Sequence, residues 1–72
     1  MSEMIEQGAI KIIEVMGVST KSFEDAVKEA VSKASKSIKG ITGVEVLKHS
    51  CRVGDGDIKQ FRVNCKLAFV VK

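Results

Sequence analysis

The chain contains no proline, tryptophan or tyrosine, one histidine (His49) and three aromatic residues, Phe23, Phe61 and Phe69. So few aromatics exclude the stacking platform on which single-stranded nucleic acid is read. One histidine and no tyrosine leave no nucleophile with an adjacent base and orienter, which argues against an enzyme. Two cysteines, Cys51 and Cys65, are too few for a disulfide framework. Neither belongs to a CxxC pair or has a second histidine to join, so structural zinc is excluded as well. No stretch approaches the roughly 18 apolar residues of a membrane-spanning helix. Residues 1–8 are acidic and polar, unlike a secretory leader, and the expected location is cytoplasmic, with neither membrane nor nucleic acid as partner.

What is present fits one small domain. In a chain of 72 residues, folding buries only about 60% of the surface that the unfolded chain exposes. Twelve basic against nine acidic residues give a net charge of +3, spread along the chain rather than gathered into a recognition patch. At 44% hydrophobic the sequence is too apolar for disorder, yet its core must be built mainly from Val, Ile and Ala. Association is expected to supply part of the stability.

The β-branched run from Ala9 to Val15 reads as a first strand that stops at Gly17. Ser19 and Ser22 are both helix-capping residues. Glu24 and Asp25 then place negative charge where the helix dipole favours it, so the helix starts close to Ser22. Phe23, Ala26, Val27, Ala30, Val31, Ala34 and Ile38 recur at helical spacing and form one buried stripe, with Gly40 placed to end the helix. Residues 44–53 and 58–71 are β-type segments joined by Gly54-Asp55-Gly56-Asp57, whose glycines and aspartates accept the positive φ of a hairpin turn. That loop lacks the twelve-residue spacing and terminal Glu of a calcium loop. The fold class is therefore α+β, in the order β-α-β-β: a curved three-stranded antiparallel sheet with one helix packed on one face.

Alternation places Phe61, Val63, Cys65, Leu67, Phe69 and Val71 on the helix side. Ile58, Gln60, Arg62, Asn64 and Lys66 face the other way. With a register centred on the turn, Glu45, Leu47, His49, Cys51 and Val53 join them. A single helix leaves this second face open. Its apolar residues are either scattered surface side chains or an interface in an oligomer. In this register Cys51 and Cys65 lie on opposite faces and are free thiols. Cys51, two residues from His49 and next to Arg52, has the setting of a thiol of lowered pKa.

The element order, together with Gly17-Val-Ser-Thr-Lys-Ser-Phe-Glu-Asp-Ala26, the Ala-rich helix, Val44-Glu-Val46 and Phe61-Arg-Val-Asn-Cys-Lys-Leu-Ala-Phe69, resembles the dodecin family over residues 9–72, with residues 1–8 as an N-terminal extension. The resemblance implies a hollow homo-dodecamer with helices outside and sheets inside. It also implies storage of flavin, of riboflavin or FMN type, as stacked pairs at subunit interfaces. The implied site takes in Gly43, Glu45, His49 and Arg62. Gly43 stands where flavin-binding members carry the stacking Trp, and Arg62 where they carry a Gln that pairs with the pyrimidine edge. A Gln amide donates and accepts, whereas a guanidinium only donates, so this site favours a carbonyl, a phosphate or an anionic flavin. Some members without the Trp are associated with calcium rather than flavin, and for calcium Glu24 and Asp25 are the candidate ligands here. The remaining alternative is a soft metal or a selenium or sulfur species on Cys51.

Overall fold

A computed structural model describes residues 7–71, so the expected extension over residues 1–8 lies largely outside the described residues. The elements are β1 (Ala9–Ser19), α1 (Phe23–Ala34), β2 (Ile41–Gly54) and β3 (Asp57–Val71), and the sheet is antiparallel in the order β1-β3-β2. The order β-α-β-β and the one-helix, one-sheet architecture are those read from the sequence.

Helix α1 starts as its capping residues dictate. Ser22 has extended backbone and its Oγ accepts from the Asp25 N–H at 2.9 Å, while Glu24 and Asp25 occupy the first turn. Its end differs from the expectation: the helix closes at Ala34 with Ser35 as cap, and Ile38 lies beyond it. Gly40 does take positive φ (76°), but as part of the connection into β2.

Strand β1 also runs further than its β-branched run. Gly17 continues the strand instead of ending it, paired with Val63. The reason is proximity: a Cβ at Gly17 would press on the Ala26 carbonyl oxygen and sit 2.9 Å from the Ala30 Cβ. Gly17 is thus a docking notch for the small-residue stripe of α1, and a breaker only in the wrong context.

The core formed there is small. Ala26, Ala30, Val63, Cys65 and Leu67 are its buried hydrophobic residues, with Ile13, Val15, Phe23, Val27, Val31, Ala34 and Ile41 packed around them. The chain measures 50 × 19 × 17 Å, with a radius of gyration of 14.1 Å. A compact domain of this length has a radius of about 11 Å. Twelve helical residues rise only about 18 Å, so α1 covers less than half the length of the sheet. Beyond the Ser19–Phe61 pair the sheet narrows to the β2–β3 hairpin alone. Its turn, Asp55-Gly56, has φ of 54° and 81°, the left-handed pair that a two-residue hairpin requires.

Candidate functional site

The sheet face away from α1 is a broad open surface that carries several of the sequence-derived residues, Gly43, Glu45 and Arg62 among them. On β1 it carries Ile10, Ile12, Glu14, Met16 and Val18, and on β3 Gln60, Arg62, Asn64, Lys66, Ala68 and Val70, as the register pairs them. Ile12 and Met16 are 56% and 50% exposed, and Ile10 and Val18 are also open to solvent. The contribution of β1 to this face was not drawn out of the sequence, where attention fell on Leu47, Val53 and Ile58. Alternation along residues 10–18 carries the signal, partly hidden because the helix-side residues of the same run are apolar too.

Strand β2 departs from simple alternation at three places, between Ile41 and Gly43, between Val46 and Lys48, and between Arg52 and Val53. The middle irregularity matters most. Val46 pairs with Cys65 and Lys48 with Asn64, so Leu47 is an extra residue, and every side chain after it changes face. Glu45 remains on the open face, opposite Lys66. Lys48, Ser50 and Arg52 follow there, opposite Asn64, Arg62 and Gln60.

This corrects three placements, since Val53, opposite Ile58, leaves the open face together with His49 and Cys51. His49 pairs with Val63, not Arg62, and lies on the helix side, where its ring meets Phe23 edge-on at 4.9 Å between centroids. Phe23 in turn meets Phe61 at 5.1 Å. His49 therefore belongs to an aromatic cluster at the start of α1, on the opposite face from Arg62. Cys51 pairs with Phe61 and so shares the helix-side face with Cys65, contrary to the opposite-face expectation. The two thiols stay apart because four residues of β3, about 13 Å, separate their register positions. Cys51 is half-buried and does not line the open face. Cys65 is fully buried, and desolvation pushes its thiol pKa up. A thiol reagent is therefore expected to modify Cys51 in the native protein and to reach Cys65 only on unfolding; equal labelling rates would contradict the burial of Cys65.

Gly43 and Arg62 do share the open face, but not one locality. Gly43 pairs with Ala68, six residues along β3 from Arg62, a separation of about 20 Å. No single aromatic ring system spans that distance within one chain. Around Gly43 lies a groove of about 240 Å³ lined by Ile12, Glu45, Lys66 and Ala68 among others. A Cβ at Gly43 would meet only the Ala68 Cβ, at 3.8 Å, so the position is open to a larger side chain. The Arg62 Nε donates to Gln60 Oε1 at 3.0 Å, which leaves the two terminal amino groups of the guanidinium for another acceptor.

Glu24 is exposed and Asp25 half-buried at the head of α1. The Asp25 Oδ2 accepts from the Ser19 hydroxyl at 2.7 Å, and Ser19 Oγ accepts from the Lys21 N–H at 2.9 Å. These contacts tie the end of β1 to the helix. A second groove, of about 320 Å³, opens beside them between Asp25, Glu29 and Gln60. Among the described residues no group of three or more His, Cys, Asp or Glu stands ready to hold a metal ion, and no helix is long and apolar enough to cross a membrane.

Comparison with known proteins bears on what this face is for. The dodecin family model matches residues 9–72. Dodecin from Streptomyces coelicolor superposes with a TM-score of 0.90 at 26% identity, covering 94% of this chain and 97% of that one. The calcium-chelating immunodominant antigen calcium dodecin from Mycobacterium tuberculosis gives 0.80 at 29% identity, covering 90% and 93%. A Thermus thermophilus protein, tt0972, gives 0.86 at 23% identity over 92% and 97%, a likeness of fold. Among curated proteins there is no match.

Proposed function

The chain belongs to the dodecin family, and from that premise we propose that twelve copies form a hollow shell holding a flavin of riboflavin or FMN type on the open faces of their sheets. The observation that carries this reading is the open face itself: Ile10, Ile12, Met16 and Val18 exposed together on an elongated fold whose buried hydrophobic core, among the described residues, is five side chains. A chain so built gains stability by covering that face with copies of itself. The separation of Gly43 from Arg62 supports a ligand site completed at a subunit boundary. The role is holding rather than turnover, as in other dodecins, a reading supported by the lack of a coupled acid and base near the face among the described residues.

The altered residues set the affinity. Without an aromatic platform at Gly43, riboflavin is expected to bind more weakly than about 1 μM. Combining Gly43→Trp with Arg62→Gln is expected to raise that affinity at least about tenfold, because stacking on one aromatic face is worth roughly 1–3 kcal/mol and the amide restores an acceptor. Quenching of flavin fluorescence measures both. Submicromolar binding by the native chain, or no gain in the double variant, would contradict the assignment of these positions.

A second reading is favoured by the 29% identity with the calcium dodecin of M. tuberculosis. In it Glu24 and Asp25 hold calcium at an interface, with the further oxygens supplied by a neighbouring copy. A thermal midpoint that rises with calcium, falls with chelator and loses this response in Glu24→Gln, in protein without flavin absorbance, would select it.

A further inference from the structure

The bulge at Leu47 brings together two side chains that the open face does not use. It turns His49 and Cys51, two residues apart on β2, onto the helix-side face, opposite Val63 and Phe61 of β3. Residues i and i+2 of a strand project the same way, with Cα atoms about 6.6 Å apart. Metal bonds of about 2.3 Å to a thiolate and about 2.0 Å to an imidazole nitrogen hold the two donor atoms at most about 4.3 Å apart. Rotation about the staggered χ1 wells of two such side chains is enough to close that gap.

The surroundings fix the imidazole and leave the pair accessible. Phe23, the first residue of α1, meets Phe61 at 5.1 Å and the His49 ring at 4.9 Å, with the imidazole perpendicular to it. His49 thus stands against an aromatic wall while remaining exposed, and Cys51 beside it is half-buried. Helix α1 covers less than half the sheet, so the helix side of β2 is bare of helix beyond this point.

The donor set selects the ion. Calcium and magnesium take oxygen ligands, whereas a thiolate with an imidazole suits copper and zinc. Zinc completes four ligands, and among the described residues no third His, Cys, Asp or Glu joins this pair. Copper(I), a soft d10 ion, is satisfied by two donors in line.

We propose that His49 and Cys51 form a two-ligand site for copper(I) on the helix-side face of β2, beside the head of α1. The site lies on the opposite face from Gly43, Glu45 and Arg62, and it does not depend on what the open face holds. On binding, the Cys51 thiol releases its proton to solvent and its sulfur donates an electron pair to the metal. The neutral imidazole donates the second pair, and the copper stays in its +1 state throughout.

The test titrates the assembled native protein, reduced and without oxygen, with copper(I) held by the coloured chelator bicinchoninate. The protein is expected to withdraw one copper(I) per chain, read as loss of the chelate colour. Cys51→Ser is expected to abolish the withdrawal. His49→Phe keeps a ring against Phe23 but has no donor nitrogen, and its affinity is expected to fall at least about tenfold, a loss usual even for groups one shell away from a metal. Circular dichroism of both variants confirms that the loss is read on folded protein. Because protons compete for the imidazole below about pH 6.5, the affinity of the parent is expected to fall more steeply than that of His49→Phe between about pH 7.5 and about pH 5.5. No withdrawal of copper, withdrawal undiminished in Cys51→Ser, or equal affinity and pH dependence of parent and His49→Phe would each overturn the site.

Discussion

Replacing Gly17 by valine is expected to lower the stability of the fold by about 3 kcal/mol, the upper end of what overpacking usually costs. Strand propensity alone predicts the reverse, because valine is favoured and glycine disfavoured in a strand. Packing decides the sign. Gly17 is buried under α1, and the first added carbon would meet both the Ala26 backbone oxygen and the Ala30 side chain. A backbone carbonyl within a helix cannot rotate away, so α1 must lift from β1, and Ala26 and Ala30 leave the core with it. Gly43→Val is the matched control. Its Cβ meets only the Ala68 methyl at ordinary contact distance, and the expected change is within about 1 kcal/mol. Urea unfolding of the two variants beside the parent measures the contrast. Equal stability of Gly17→Val and parent would mean that the helix does not rest on this notch.

The other large effect is on assembly. Ile12→Asp is expected to convert the oligomer into small species by sedimentation velocity, whereas Ile12→Leu retains its size. Burying one isoleucine is worth about 1.5–3 kcal/mol, and a carboxylate in its place adds a desolvation penalty, repeated in every subunit. The single chain has little to set against that loss, with five buried hydrophobic residues among those described and a sheet more than twice as long as its helix. An unchanged sedimentation coefficient would place Ile12 in the cavity or in solvent rather than between copies.

How far these features were legible in the sequence depends on the kind of signal each one leaves. The helix start was readable because Ser22, Glu24 and Asp25 act locally, through one hydrogen bond and the helix dipole. The helix end was not, because apolar spacing continued to Ile38 after the hydrogen-bonded turn had closed at Ser35. Gly17 was misjudged for a related reason: a glycine that ends a strand and one that lets a helix approach look alike until the partner is known. The face assignments of His49 and Cys51 failed at Leu47. A bulge inserts one residue into a period of two, and no residue type marks it reliably. The positions of Gly43 and Arg62 acquire meaning only beside a family pattern, and their separation along β3 only from the register.

The central claim is that the open sheet face is covered by copies of the same chain and holds a small molecule. Native mass spectrometry of the protein purified from its own cells, with an absorbance spectrum of what it releases on unfolding, tests it most directly. The account predicts a particle of about 94 kDa, twelve times the 7.8 kDa of one chain, together with released flavin. A particle of one or two chains at micromolar concentration would contradict the account, and a twelve-chain particle that releases no flavin would contradict its cargo.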